Sequence, residues 1–121
     1  MKKIILFLNL VFSSLFVSAH GTPELICSSP TIATQTINAT TAGIVWKSTT
    51  AAASYTLEYR LCSETAWTTV NNLTTTSTVD NSGLYIIQNL SACQCYVVRM
   101  RANCSANEVS DWRTAEFRTA G

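Results

Sequence analysis

The sequence predicts an all-β fold, a seven-stranded antiparallel sandwich of two layers. Three observations carry this prediction. Beyond residue 19 the apolar residues recur with period two, and no stretch repeats convincingly at the helical period. Short alternating runs are separated by turn-forming residues, as in an antiparallel sandwich. The most informative run, residues 90–104, is a loop that turns into a strand at 95–103, with Leu90 six residues before Tyr96. In that run Tyr96, Val98, Met100 and Ala102 point one way, and Val97, Arg99, Arg101 and Asn103 point the other.

The first residues stand apart from the fold. Lys2 and Lys3 precede an apolar stretch, residues 4–17, followed by Ser18 and Ala19. Val17 and Ala19 suit the −3 and −1 positions of a signal-peptidase site, which makes residues 1–19 a signal peptide and His20 the mature N-terminus. Asn9, Ser13 and Ser14 interrupt the stretch, and it is short for a membrane span. Residues 20–26 then form a leader, 27–119 the folded domain, and 120–121 a tail or the start of a linker. One domain of this size fits a two-layer core.

The strands are expected in order at residues 31–36, 42–47, 54–60, 66–70, 84–88, 95–103 and 113–119. Ile44 and Trp46 share a face of the second strand. In the third, Tyr55, Leu57 and Tyr59 face inward and Thr56, Glu58 and Arg60 outward. Trp67 centres the fourth, and residues 71–83 read as polar and turn-rich. Trp112 and Phe117 are five apart, so both cannot face the core of one straight strand.

With Lys2 and Lys3 removed, six basic side chains stand against seven acidic ones, a net charge of −1. No basic cluster points to a nucleic-acid partner. Five cysteines in a secreted domain imply disulfides with one thiol left over. Cys93-x-Cys95 has the wrong spacing for a zinc knuckle and His20 is the only histidine, so no metal or other cofactor is expected.

The order of these features identifies a resemblance. An immunoglobulin domain carries its buried tryptophan on the third strand, against a disulfide joining the second and sixth. Here Trp46 is on the second strand, which has no cysteine, and Tyr96 stands where a tyrosine corner would close the preceding loop. With Pro30, Trp46, Tyr55-x-Leu57-x-Tyr59, Trp67, Leu90, Tyr96-x-Val98-x-Met100-x-Ala102 and Ser110-x-Trp112…Phe117-x-Thr119, the chain resembles a fibronectin type III domain, an immunoglobulin-like sandwich, from about Cys27 to Thr119. The cysteines resemble those of modules in secreted Bacteroidetes-type bacterial proteins, which often begin Cys-x-x-Pro and end the sixth strand with Ala-x-Cys, as in Cys27-Ser28-Ser29-Pro30 and Ala102-Asn103-Cys104. Such modules commonly have Pro-Gly-Thr in the turn before the sixth strand, where this chain has Ala92-Cys93-Gln94.

The resemblance implies a disulfide pattern. In that topology Cys27 and Cys104 lie at one pole, and Cys62 at the other can reach Cys93 or Cys95. Parity does not choose between the last two. Cys93 matches a loop position that is often cysteine in such modules, which leaves Cys95 as the free thiol. Closing the Cys27–Cys104 loop contributes on the order of 4 kcal/mol in the chain-entropy model.

No catalytic constellation is visible. A single histidine near the mature terminus does not build a Ser-His-Asp or Cys-His site. Glu58 and Glu64 read as a strand residue and a loop residue rather than a glycosidase pair, and there is no Gly-rich phosphate loop. Arg99 and Arg101 point outward, where Glu58 can pair with one and Trp112 can stack on a guanidinium. Asn38, Asn72, Asn89 and Asn103 each begin an N-x-S/T sequon. The loops 48–53 and 105–111 are the expected recognition surface, although neither holds an aromatic anchor.

The expectation is a secreted, non-catalytic module for protein or glycan interaction or cell adhesion, or a spacer beside further domains of the same polypeptide. The alternative is a complete small secreted binding protein that acts through its loops or its free thiol. Peptide mapping without reduction should find Cys27 linked to Cys104; Cys27 joined to Cys62 instead would contradict the topology.

Overall fold

A computed structural model describes residues 27–121; the expected signal peptide (1–19), the His20 terminus and residues 21–26 lie outside the described residues. Eight strands follow in chain order: β1 (Thr31–Gln35), β2 (Ala42–Lys47), β3 (Ser54–Leu61), β4 (Thr68–Leu73), β5 (Ser82–Ile87), β6 (Cys95–Ser105), β7 (Glu108–Val109) and β8 (Arg113–Arg118). They form a β-sandwich of two antiparallel sheets. One has the order β1-β2-β5; the other runs β4-β3-β6, with β7 and β8 both paired to the far edge of β6. No helix among the described residues is long and apolar enough to cross a membrane.

The inward residues of both sheets make one core. Ala42, Ile44 and Trp46 from β2 meet Tyr55 and Leu57 from β3 and Tyr96, Val98, Met100 and Ala102 from β6, all buried. The Trp46 and Tyr55 rings, one from each sheet, lie 5.4 Å apart. Tyr96 stacks on Phe117 at 5.6 Å, near the other end of β6. Phe117 is thus the inward residue of the last strand, and Trp112 lies just before that strand begins. The Tyr96 hydroxyl accepts the Ser91 N–H at 2.8 Å, tying the loop that contains buried Leu90 onto β6.

Three stretches differ from the sequence expectation. β4 begins at Thr68, so Trp67 precedes the strand rather than centring it, and β4 extends to Leu73, into residues that read as turn. Its apolar residues Val70 and Leu73 are three apart, which breaks period two. The strand absorbs the extra residue in a bulge, with Leu57 opposite Val70, Tyr55 opposite Leu73, and Asn72 at φ 62°. β5 begins two residues earlier than expected, because Ser82 and Gly83 pair with Lys47 and Trp46. β7 adds a short eighth strand inside the polar loop. Between β7 and β8, buried Ser110 continues the ladder: its N–H donates to the Ala102 carbonyl, and its hydroxyl accepts the Ala102 N–H at 2.9 Å.

Two disulfides close opposite poles. Cys27 is joined to Cys104, with Cα atoms 5.8 Å apart. Cys62 is joined to Cys95, with Cα atoms 5.4 Å apart, and the free, exposed thiol is Cys93. This corrects the assignment of Cys95 as the odd thiol. The β3–β6 register sets Leu61 opposite Tyr96, so the next pair outward is Cys62 and Cys95, and the Cys62 N–H donates to the Cys95 carbonyl at 2.9 Å. Cys93 turns to the other side of β6. Its backbone is left-handed at φ 55°, and its N–H donates to the Ala120 carbonyl beyond β8.

Gly83 is dictated by packing. It lies opposite Trp46, and a Cβ there would fall within 2.7 Å of three indole carbons. Gly83→Ala should cost about 1–3 kcal/mol, the usual range for overpacking a core. Urea denaturation checks this, with Gly43→Ala as a milder comparison because its nearest neighbour would be 3.0 Å away.

Candidate functional site

The outer face of the larger sheet carries a cation–aromatic ladder. Arg60 lies over the Trp67 ring at 4.5 Å, Arg99 over the same ring at 4.1 Å and over Trp112 at 4.2 Å, and Arg101 over Trp112 at 4.7 Å. Strand geometry explains the order. Arg60 on β3 and Arg99 and Arg101 on β6 all point away from the core, and Trp67 and Trp112 reach in from the flanking segments just before β4 and β8. The expected stack of Arg99, Arg101 and Trp112 is one half of this ladder. Arg60 and Trp67 form the other half, and the signal for it was register: Tyr59 pairs with Thr68, which brings Arg60 and Trp67 to the same level.

Most of the ladder's polar groups are already engaged. Arg99 donates from Nε and Nη2 to Glu58 Oε1 at 2.9 and 2.6 Å, and Thr69 donates to Glu58 Oε2 at 2.8 Å. Arg60 Nη1 donates to the carbonyls of Leu61, Cys62 and Glu64. Partial burial of Glu58 pushes its pKa up, but the hydrogen bonds from Thr69 and Arg99 and the charges of Arg99 and Arg101 outweigh it, and the carboxyl sits below the ordinary value.

Two clefts mark the surface. One, of about 590 Å³, lies on the smaller sheet, with Ala33, Val45 and Leu84 in its lining and the Lys47–Asp80 ion pair at 3.8 Å on its rim. The other, of about 490 Å³, lies at the Cys104 end of the larger sheet, where Arg101 ends the ladder. The loop 48–53 contributes Ala53 to this second cleft, and the loop 105–111 contributes Ser105, Ala106 and Val109.

Among the described residues Cys62, Cys95 and Glu116 bring metal-type atoms within 4.8 Å of one another, but the two sulfurs are joined to each other. Glu58 and Glu64 have separate roles: the carboxylate of Glu58 serves Arg99 and Thr69, and the backbone carbonyl of Glu64 serves Arg60. Of the sequons, Asn103 donates its amide to Ser54 and Thr56, and Asn38 donates to Thr41.

Neither known protein families nor curated proteins gave a match to this chain. Solved structures did. A computationally redesigned β-sandwich protein is similar with a TM-score of 0.61 and 20% identity, over 76% of this chain and 94% of that one. A structure described as a myokine is similar with a TM-score of 0.63 and 16% identity, over 78% of this chain and 98% of that one. At these identities the likeness is one of fold.

Trp112 joins two arginines, and each stack contributes about 0.5–2 kcal/mol. Trp112→Ala should therefore lower the melting temperature, and an unchanged melt would refute the ladder as a stabilising element. The Glu58 contribution has a defined pH window. It is fully present above the ordinary glutamate pKa of 4.5 and is lost as the pH falls through the lower folded-state value. The stability gap between the native chain and Glu58→Gln should accordingly shrink on acidification below that pH, as read by denaturation midpoints.

Proposed function

We propose that this chain is a secreted, non-catalytic fibronectin type III domain, of the cysteine-containing kind found in secreted Bacteroidetes-type bacterial proteins. It serves as a protein- or glycan-interaction module, or as a spacer within a larger extracellular polypeptide. The observation that carries this reading is a two-sheet sandwich fastened by a disulfide at each pole. Disulfides of this kind are typical of extracellular proteins. The Tyr96 hydroxyl bond to the Ser91 backbone supports the fibronectin type III assignment, since it closes the corner loop onto β6 in the manner of a tyrosine corner.

The reading assigns the chain no reaction. Among the described residues the acidic groups and the thiol do not converge on a cleft with a general base, and the Glu58 carboxylate is spent on Arg99 and Thr69. A second reading, a secreted binding protein that acts through a free thiol, is favoured by one observation: the thiol left unpaired, Cys93 rather than the Cys95 that the sequence suggested, is exposed.

Expression of the whole chain in a Gram-negative host tests the proposal. Exported protein should begin at His20 and carry the Cys27–Cys104 and Cys62–Cys95 linkages. Retention in the cytoplasm with residue 1 in place and five reduced thiols would overturn it. Saturable binding of the exported domain to immobilised glycans or extracellular proteins, lost on thermal unfolding, would support the module over the spacer.

A further inference from the structure

We propose that the cleft at the Cys104 end of the larger sheet recognises the carboxylate of an acidic sugar residue, with Arg101 as the cation that pairs with it. This deepens the interaction-module reading and rests on it. The first observation is an imbalance within the ladder. Arg99 is bound to Glu58 and Arg60 to three backbone carbonyls, but Arg101 forms no ion pair and no hydrogen bond among the described residues. Its Nε is buried and has no partner. The guanidinium is held by the face of Trp112 at 4.7 Å, which fixes its plane without using its N–H donors. The Nη1 and Nη2 edge, which is neither buried nor hydrogen-bonded, can then offer two parallel hydrogen bonds to a carboxylate.

The second observation is the chemistry of the lining. The cleft holds Ser54, Thr56, Asn71, Asn103 and Ser105 around Arg101. Asn103 Nδ2 donates to Ser54 at 3.2 Å and to Thr56 at 2.9 Å, and Thr56 donates to Asn71 Oδ1 at 3.5 Å. This chain of bonds orients the small polar groups in advance and leaves the Ser54 hydroxyl proton and the Asn71 amide protons unassigned to any protein acceptor. Preset hydroxyls and amides match the hydroxyls of a pyranose ring, and pre-organisation lowers the ordering cost of binding. The apolar lining is limited to Ala53, Ala106 and Val109, with no aromatic pocket for a peptide side chain. An acidic sugar therefore fits better than an acidic peptide. Glu58, whose carboxyl responds to the Arg101 charge, is occupied by Arg99 and Thr69 and so does not neutralise Arg101 directly.

Nitrogen-15 NMR of the folded, oxidised domain tests the site, with glucuronate, glucose and N-acetylglutamate as probes. Glucuronate should move the Arg101 Nε–H and the Asn71 and Asn103 side-chain amides saturably, with glucose at least tenfold weaker. Arg101→Gln should weaken glucuronate at least tenfold, and Arg101→Lys, which keeps the charge but loses the fork, should fall between. Arg118→Gln, on an exposed part of β8, should bind as the native chain does. An unmoved Arg101 Nε–H in the native domain overturns the proposal, as does undiminished binding by a folded Arg101→Gln. N-acetylglutamate binding as tightly as glucuronate would overturn the sugar assignment. Each of these failures leaves the exported, disulfide-bonded module intact, because that reading depends on the processed N-terminus and the linkages.

Discussion

Ser54 through Leu61 of β3 lie opposite Asn103 through Tyr96 of β6, and this single register places both faces of the larger sheet at once. A one-residue slip would send Tyr55 and Leu57 to solvent and draw Glu58 into the core. On the inner face the register sets Leu57 beside Met100 and Tyr55 beside Ala102, against Ile44 and Trp46 of the other sheet. On the outer face it sets Glu58 opposite Arg99, whose Nε and Nη2 both donate to Glu58 Oε1. At the strand end it sets Cys62 next to Cys95, where a covalent bond fastens it. Burial, charge pairing and covalent linkage all require the same alignment, the consistency expected of a minimally frustrated chain.

The legibility of this fold follows from the same alignment. The alternation of residues 95–103 exposes the inward and outward sets of β6 directly, because a half-buried strand writes its two faces into alternate positions. The pairing of strands is not written that way. Parity relates Cys93 and Cys95 equally to Cys62, and only the register separates them. Pairing Glu58 with Arg99 rather than Arg101 would have supplied it, since that choice places Cys62 against Cys95. The end of β4 was hidden for a related reason: a bulge at Asn71 and Asn72 shifts the period, so a sheet residue, Leu73, reads as turn. The turn before β6 is also instructive. Cys93 holds a left-handed φ of 55°, the conformation that glycine adopts most readily, and its thiol is exposed.

The two outer faces divide their chemistry. The smaller sheet exposes Leu84 and Ile86 beside Val45, an aliphatic surface edged by the Lys47–Asp80 pair. The larger sheet carries guanidinium and indole planes whose contacts are mostly satisfied within the sheet. Stacking of this kind stiffens long arginine side chains that would otherwise sample many rotamers, so this face presents a defined shape rather than a mobile fringe. Departures from saturation stand out against such a background, which is why the last arginine of the row differs so plainly from the other two.

The Cys27–Cys104 bond also decides how the domain carries mechanical load. The bond joins the N-terminal end of the domain to the far end of β6 across a sequence separation of 77. Tension between the two ends therefore bypasses β1 through β5 and passes from Cys104 into β7 and β8. Because β8 is antiparallel to β6 and ends beside Cys95, it is loaded in shear, with its ladder hydrogen bonds resisting together rather than opening one by one. The second disulfide fastens the start of β6 to the end of β3, so β6 cannot peel away. Among the described residues only 105–121 lie outside the crosslinked loop and are free to pay out under extension. Roughly 250–280 Å of chain stays locked behind the crosslink, at about 3.3–3.6 Å per residue, and the domain behaves as a short stiff link rather than an extensible spring.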